Sequence, residues 1–230
     1  DNGVINNTPF TPGTGTVIYT VTGTDVNLCD NTATISVTVN PLPTATSAFS
    51  ETACLGVVVP DLLAYGTLPT WYSGHALTTQ VYQGNWYATG QTAVGLYTYY
   101  VTETNLDGCE GPSVPVTLEI YALPVVTATA DQTICDGYAP SSLNASSGGV
   151  AGTYSWADAS NPLVILGTSS NFSPPPLTTT TTYTVTFTSD VGSCQATADV
   201  VITVNPLPTA TIATSQTACF GSLTIPNLFA

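Results

Sequence analysis

The chain has 230 residues with no lysine or arginine, one histidine and fourteen carboxylates, which gives a formal net charge of −14. Without cationic side chains it cannot neutralise phosphates, so nucleic-acid binding and electrostatic attraction to anionic membranes are both excluded. Hydrophobic residues make up 43% and charged residues only 6%, so the chain is not a disordered acidic tail either.

The composition predicts an all-β protein. Threonine, valine and tyrosine alternate with period two in several segments, as in strands with one buried face. The 19 glycines and 17 prolines break helices, and we find no segment with the apolar spacing of an amphipathic helix. No apolar run reaches the 18 residues of a transmembrane candidate, so we expect no direct membrane insertion.

A sequence repeat divides the chain into four parts. The segment SVTVNPLPTAT at 36–46 returns as VITVNPLPTAT at 201–211, with a weaker copy at 117–129. The last prolines of the copies, Pro43, Pro124 and Pro208, give periods of 81 and 84 residues. We therefore predict that 1–40 is the back part of one repeat, that 41–121 and 122–205 are complete, and that 206–230 begins another. Repeats of this size predict small two-sheet sandwiches.

Each complete repeat has the same order of landmarks. A first cysteine follows the last proline by 11 positions, at Cys54, Cys135 and Cys219. A tryptophan follows in the complete repeats, Trp71 and Trp156, where an immunoglobulin-type sandwich places its buried tryptophan. A second cysteine comes ten or eleven residues after a tyrosine of an alternating strand, at Cys29, Cys109 and Cys194. We use "first cysteine" and "second cysteine" in this sense throughout.

The motif order resembles the Ig-like or PKD-like repeats of large secreted surface proteins of Bacteroidota. In residues 135–208 the order is C, YSW, TTTTTYTVT, GSC and VVITVNPLP, and residues 41–121 match it more loosely. The resemblance implies tandem immunoglobulin-like β-sandwiches that act as spacers or adhesive modules. It also implies an extracellular location, at a cell surface or in a secreted filament.

Six regularly spaced cysteines in a secreted chain predict a disulfide framework. The repeat selects pairs inside each unit, Cys54 with Cys109 and Cys135 with Cys194, near one end of each sandwich. Cys29 and Cys219 are then expected to pair with neighbouring repeats, either because the chain continues or because another subunit follows. Zinc is not expected, since there is no CxxC motif and His75 is the only imidazole.

The sequence shows no catalytic motif, so we expect no enzyme. His75, in TWYSGHALTT, is interpreted as an exposed turn residue. Paired carboxylates, Asp107 with Glu110 and Asp25 with Asp30, are interpreted as turn residues rather than as a glycosidase pair. Together with Asp190 these acids recur in equivalent loops, so calcium is the one cofactor considered. The single carboxylate of the third loop favours simple solvation over a calcium site.

Two functions from different classes remain. The first is a structural, non-catalytic segment of an extracellular filament or giant cell-surface adhesin, whose partner is itself, head to tail. The second is a carbohydrate-binding or spacer module of a secreted multidomain hydrolase. Its candidate aromatics for surface glycans are Trp86 and Tyr87, and exposure of Trp86 discriminates between the two. Asn-x-Ser/Thr sequons at Asn6, Asn144 and Asn171 are weak signals of glycosylation.

Overall fold

The computed structural model describes residues 13–210 and 220–221, and every regular element in them is a β-strand. The strands are β1 (Gly15–Thr24), β2 (Asp30–Val39), β3 (Ser47–Phe49), β4 (Glu51–Cys54), β5 (Leu62–Tyr65), β6 (Pro69–Tyr72), β7 (Gln80–Gln83), β8 (Trp86–Tyr87), β9 (Gly95–Glu103), β10 (Val114–Tyr121), β11 (Thr127–Ala128), β12 (Gln132–Cys135), β13 (Leu143–Ser146), β14 (Gly152–Asp158), β15 (Asn171–Phe172), β16 (Thr181–Ser189) and β17 (Gln195–Asn205). The predicted all-β class is confirmed.

The chain divides into two compact units, residues 1–122 and 123–230. The first unit contains the antiparallel hairpin β1–β2 and one sandwich, and the second unit contains another sandwich. The hairpin exposes most of both its faces, including Ile18 and Ile35. Among the described residues it pairs with no other strand.

The first sandwich packs a five-stranded sheet, in the order β4-β10-β9-β6-β7, against the three-stranded sheet β3-β5-β8. Neighbouring strands are antiparallel except for β4, which runs parallel to β10. Alternate residues of each strand point inward, and the resulting core includes Leu62, Trp71, Val101 and Leu118, all completely buried.

The second sandwich repeats this plan with one strand fewer at one edge of the larger sheet. Its sheets are β12-β17-β16-β14 and β11-β13-β15, and β12 runs parallel to β17. Leu143, Trp156, Val185 and Ile202 form its core and are completely buried. The immunoglobulin-like sandwich architecture predicted for both complete repeats is therefore present.

Both predicted core tryptophans are buried, and both indole N–H groups are satisfied. Trp71 Nε1 donates to the carbonyl of Gly84 at 2.9 Å, and Trp156 Nε1 donates to that of Ser169 at 3.0 Å. Burying an indole without a partner for its N–H would be costly, so the loop carbonyls help to fix where each tryptophan lies.

The course of the chain gives each sandwich two distinct ends. In the first, Asn105, in the β9–β10 loop, donates from Nδ2 to the carbonyl of Pro41 at 3.0 Å, so the chain comes in beside that loop. It leaves after Tyr121, at the far end of β10. We call these the N-terminal and C-terminal ends of the sandwich.

The second sandwich has the same polarity. Strand β12 pairs with the last residues of β17, Ile202–Asn205, and runs in the same direction. Because β11 precedes β12, the incoming chain lies toward the start of β17, where the β16–β17 loop is. The last residue of β17 is Asn205, at the opposite end.

Candidate functional sites at the two ends of each sandwich

The first cysteine of each complete repeat lies at the C-terminal end of its sandwich. Cys54 ends β4 opposite Tyr121, the last residue of β10, and Cys135 ends β12 opposite Asn205, the last residue of β17. The pairing continues one step beyond each cysteine. The N–H of Leu55 donates to the Tyr121 carbonyl at 2.8 Å, and that of Asp136 to the Asn205 carbonyl at 2.9 Å. The two positions are therefore structurally equivalent.

A tight turn follows each first cysteine. The carbonyl of Cys54 accepts from the N–H three residues later at 3.0 Å, and the carbonyl of Cys135 does so at 3.1 Å. The residue two positions after the cysteine has a positive φ, 81° at Gly56 and 83° at Gly137, which favours glycine. Gly221 has a φ of 98° in the same motif, although Cys219 itself lies outside the described residues.

The second cysteine of each repeat lies in a hairpin loop, before the last strand of the repeat. The residue just before it has a positive φ in all three loops, 65° at Leu28, 79° at Gly108 and 53° at Ser193. The cysteine carbonyl accepts from the N–H of the residue that opens the loop, at 3.0 to 3.1 Å. The openers are Asp25, Asn105 and Ser189.

The side chains of the same opening residues also close the loops. Asp25 Oδ1 accepts from the N–H of Cys29 at 2.8 Å, Asn105 Oδ1 accepts from that of Cys109 at 2.9 Å, and Ser189 Oγ accepts from that of Cys194 at 3.1 Å. The hydrogen bond from Cys29 is also the main cause that lowers the pKa of Asp25. Our sequence analysis missed the roles of Asn105 and Ser189, although their position four or five residues before a cysteine was a signal.

The predicted bridges inside each repeat are not formed, because their cysteines lie at opposite ends of a sandwich. Strand β10 separates Cys54 from the loop that holds Cys109, and its seven residue steps span about 23 Å. Strand β17 separates Cys135 from Cys194 by about 33 Å. Bridged cysteines have Cα atoms within about 7 Å. The prediction that both cysteines of a repeat lie near one end was wrong.

The bonding states of the cysteines agree with this separation. Cys54 and Cys194 are disulfide-bonded. Cys29, Cys109 and Cys135 carry free thiols, and those of Cys29 and Cys135 are exposed. The expected pairing of Cys219 with a neighbouring repeat lies outside the described residues.

Three of the acidic residues considered for calcium, Asp25, Asp30 and Glu110, accept hydrogen bonds from protein groups. Asp30 Oδ1 accepts from Thr24 Oγ1 at 2.6 Å. Glu110 Oε1 accepts from Tyr72 Oη at 2.7 Å and from Thr102 Oγ1 at 2.6 Å. Asp107 and Asp190 are exposed. Among the described residues no three His, Cys, Asp or Glu side chains are grouped in a way that could hold a metal ion.

His75 lies in the turn after β6, as predicted, and is exposed. Its ring packs edge-on against Tyr100, with 5.1 Å between the ring centroids. In the described part of the chain no helix is long and apolar enough to cross a bilayer.

The structure separates the two candidate glycan aromatics, because neighbouring residues of β8 point to opposite faces. Tyr87 is buried and packs against Trp71, with ring centroids 5.5 Å apart, so it cannot stack on a sugar. Trp86 is 59% exposed on the outer face of β3-β5-β8. Phe49 and Tyr65 are exposed on the same sheet and contact each other edge-on at 5.9 Å. The expectation for Tyr87 was wrong, and the exposed aromatic face was missed.

A buried carboxylate was also missed. Glu103 ends β9 and is only 8% exposed. Its Oε1 accepts from the N–H groups of Thr67 and Leu68, at 2.7 and 3.1 Å, while Oε2 has no hydrogen-bond partner in the structure. Glu103 lines an open cleft of about 700 Å³ at the N-terminal end of the first sandwich, together with Asn105 and Asp107.

Comparisons with known proteins find one family model and several solved structures that match parts of the chain. Residues 125–206 match the family DUF8696, a domain of unknown function. Among solved structures, the fibronectin(III)-like modules of Clostridium thermocellum CbhA are similar, with 16% identity, a TM-score of 0.44, and coverage of 70% of this chain and 94% of that chain. No curated protein matches the chain significantly.

Two further solved structures are similar over most of this chain. The titin I-band fragment I67–I69 has 13% identity, a TM-score of 0.35, and coverage of 70% of this chain and 64% of that chain. Drosophila N-cadherin EC1-3 has 12% identity, a TM-score of 0.29, and coverage of 86% of this chain and 79% of that chain. No function follows from similarities this low.

Proposed function

We propose that this chain is a structural, non-catalytic segment of an extracellular filament or cell-surface adhesin built from immunoglobulin-like sandwiches joined head to tail. The observation that carries the proposal is the polarity of each sandwich. The chain comes in at one end, beside the loop of the second cysteine, and leaves at the other, beside the turn of the first cysteine. A module with opposite ends of this kind extends a line when it is repeated.

The cysteine chemistry supports an extracellular location. Disulfides persist in oxidising compartments outside the cell and are rare in the cytosol, and Cys54 and Cys194 are bonded. The recurrent sequence motifs resemble secreted surface proteins of Bacteroidota. The proposed partner is the same kind of repeat, whether in one longer chain or in a second subunit.

The surface composition suits a long-lived external polymer. Trypsin-like proteases cleave after lysine or arginine, and the chain has neither. Prolonged trypsin treatment is expected to leave even the denatured and reduced chain uncut. Clean tryptic cleavage would contradict this expectation.

Location and shape are tested together by electron microscopy of the producing cells. Antibodies raised against residues 122–205, the second of the two predicted complete repeats, are used for gold labelling of intact cells. We expect labelled filaments that project from the surface, with gold at intervals along them. Labelling confined to the cytoplasm, or only to dispersed secreted protein, would overturn the proposal. An antibody against a cytosolic protein of the same cells provides the control for permeability.

A second function has one observation in its favour, the exposed aromatic face around Trp86. Sugars stack on exposed aromatic rings, and Phe49, Tyr65 and Trp86 offer three on one sheet. The test is quenching of tryptophan fluorescence by soluble β-glucan, since Trp71 and Trp156 are buried. Quenching that Trp86→Ala removes and Val81→Ala leaves intact would support glycan binding. Unchanged fluorescence would speak against glycan binding and leave only the structural function.

A further inference from the structure

We propose that the second sandwich carries a binding site for an ammonium group on an apolar chain, supplied by a free alkylamine or by the lysine side chain of another protein. The site is an open cleft of about 370 Å³ between the loop that follows β14 and the strands β15 and β16. It lies wholly within the second unit. This ligand site goes beyond the structural function, because it lets one sandwich hold a specific chemical group.

The cleft has a mainly apolar lining. The apolar residues that line it are Val164, Leu166, Phe172 and Pro175. Phe172 contacts the ring of Tyr183, which also lines the cleft, with 5.3 Å between the ring centroids. Small-molecule sites are typically clefts of about 300 to 1,000 Å³ with apolar and aromatic walls and a few polar groups. The cleft of the second sandwich fits this description.

The β14–β15 loop forms one wall of the cleft and is held against β14 by its backbone. The N–H of Trp156 donates to the Gly167 carbonyl, and the N–H of Leu166 donates to the Trp156 carbonyl, both at 2.8 Å. The four consecutive apolar residues 163–166 are nevertheless all exposed, and Leu163 is 92% exposed. An apolar stretch of this kind beside a cleft suits contact with an apolar ligand.

One carboxylate gives the cleft a negative charge. Asp158 ends β14 opposite Tyr183 of β16. Its Oδ1 accepts from the hydroxyl and from the N–H of Ser160, at 2.7 and 2.8 Å, and these hydrogen bonds lower the pKa of Asp158. Its Oδ2 accepts no hydrogen bond from the described residues. An ammonium group in the cleft therefore meets an ionised acceptor with one oxygen still available.

A buried tyrosine hydroxyl in the same cleft also lacks a partner. Tyr183 is only 3% exposed, and its hydroxyl makes no hydrogen bond to any residue that the structure describes. Burial raises the pKa of Tyr183, and the nearby charge of Asp158 raises it further. Buried polar groups in proteins are nearly always hydrogen-bonded, so the hydroxyl points to a ligand that completes it. Its oxygen can accept a second N–H of the same ammonium group.

The first sandwich shows the same position without a ligand site. Tyr99 corresponds to Tyr183, because each lies two positions before the valine that pairs with the core tryptophan. Gln91 Nε2 donates to the Tyr99 hydroxyl at 3.1 Å. The residue two positions after the tryptophan is Ser73 there, instead of Asp158. The first sandwich thus satisfies its tyrosine from within and has no carboxylate at this position, which assigns the ammonium site to the second sandwich.

Charge and lining together select the class of ligand. An anion would be repelled by Asp158 and by the net charge of −14. A neutral apolar molecule would leave the Asp158 carboxylate and the Tyr183 hydroxyl without donors. A sugar needs more hydrogen-bonding groups than this largely aliphatic wall offers. The chain has no lysine or arginine, so the cation has to come from a different molecule.

The test is isothermal titration calorimetry of the full chain with n-hexylamine as the probe. We expect saturable binding of one hexylamine per chain. Hexanol has the same apolar chain without the charge, and ethylamine has the charge with only a short chain. Both should bind at least about tenfold more weakly. Hexanol binding as tight as that of hexylamine, or no saturable binding of hexylamine, would overturn the proposal, and neither comparison depends on a variant.

Matched variants locate the site. Asp158→Asn keeps an acceptor oxygen for Ser160 and removes the charge, so it should weaken hexylamine binding about tenfold to a hundredfold. Asp190→Asn removes the same charge from an exposed loop of the same sandwich and should leave the affinity unchanged. Tyr183→Phe keeps the ring and should weaken binding severalfold. Equal affinities of the Asp158→Asn and Asp190→Asn variants would show non-specific attraction to an acidic protein and would overturn the proposal.

A lysine derivative distinguishes the two sources of the ammonium group. Nα-acetyl-lysine methylamide presents the lysine side chain with its backbone blocked, as in a protein. If it binds at least as tightly as hexylamine and loses affinity in the Asp158→Asn variant, the site takes a lysine of a partner protein. If it binds clearly more weakly than hexylamine, the site takes a free alkylamine.

Discussion

The two sandwiches share the arrangement of their strands but differ at one inward-facing position of their cores. Val101 pairs with Trp71 and Val185 pairs with Trp156, which aligns β9 with β16. Two residues further on, the inward position is Glu103 in the first sandwich and Phe187 in the second. One sandwich therefore fills this end with a carboxylate that holds a loop, and the other fills it with an aromatic ring.

The outer faces of the three-stranded sheets differ more. Leu63 and Trp86 are opposite each other on β5 and β8, and the equivalent pair on β13 and β15 is Asn144 and Asn171. The second pair consists of exposed polar residues that both belong to sequons. Most core positions, the turns after the first cysteines and the two distinct ends are thus common to both sandwiches. The outer faces of the three-stranded sheets are where the two sandwiches differ most.

The largest expected effect comes from the shared core. Replacing Trp71 by alanine leaves a cavity and a lost indole hydrogen bond, and should lower the free energy of unfolding of the first unit by about 3–5 kcal/mol. Because the two cores are separate, calorimetry should show one transition moved and the other unchanged. Trp156→Ala should move the other transition. Equal shifts of both transitions in either variant would contradict independent cores.

Substitutions of Glu103 test the core position at which the two sandwiches differ. Glu103→Ala leaves the N–H groups of Thr67 and Leu68 without their acceptor, and should cost the first unit about 1–3 kcal/mol. Glu103→Gln keeps an acceptor oxygen and should cost clearly less. Urea unfolding of the two variants measures the difference. If alanine and glutamine cost the same, the hydrogen bonds to the loop are not what the carboxylate contributes.

Alkaline pH should destabilise the first unit through Tyr87, which takes the position that Phe172 takes in the second sandwich. Burial raises the pKa of Tyr87 to about 12 from its ordinary value of 10.0. The neutral phenol is favoured in the folded state, so its contribution to stability is complete below pH 10 and is lost as the pH rises toward 12.

The measurement is thermal unfolding between pH 9 and about pH 12, with Tyr87→Phe as the matched variant. The substitution should make the first unit less sensitive to high pH. The transition of the second unit should stay where it was. Equal alkaline sensitivity with and without the Tyr87 hydroxyl would show that other tyrosines dominate.

The smallest effect is expected at Trp86. Its indole is largely exposed, so Trp86→Ala should change stability by no more than about 0.5 kcal/mol, whereas Tyr87→Ala next to it should cost several-fold more. Chemical denaturation of both variants provides the comparison. A large cost at Trp86 would show that the outer face contributes to folding rather than to binding.

The strands and the two buried tryptophans could be predicted because they follow from local sequence patterns. Alternating Tyr, Val and Thr predicted strands, and the position of Trp71 and Trp156 in the repeat predicted two buried indoles. The same alternation, followed from Tyr99 through Val101, points Glu103 inward, so the burial of Glu103 could have been predicted from the sequence. Its acceptor role was not, because Thr67 and Leu68 lie some 35 positions away.

The disulfide pairing failed for a topological reason. The repeat showed which cysteines are equivalent but not at which end of the sandwich each lies. That depends on β4 running parallel to β10, and β12 to β17, which carries the first cysteines to the C-terminal end. Parallel pairing between strands more than 60 positions apart leaves no local signal. Tyr87 failed for a simpler reason, since adjacent strand residues point to opposite faces and the face of β8 that holds Tyr87 packs against the core.

The most direct test of an array of separate structural sandwiches is single-molecule pulling of the reduced chain by its two ends. Two unfolding steps are expected, one for each sandwich, because each sandwich has its own core. Each step should release about 26 to 28 nm of chain, since the strands of the two sandwiches span residues 47–121 and 127–205. A single step of about twice that length would contradict the account.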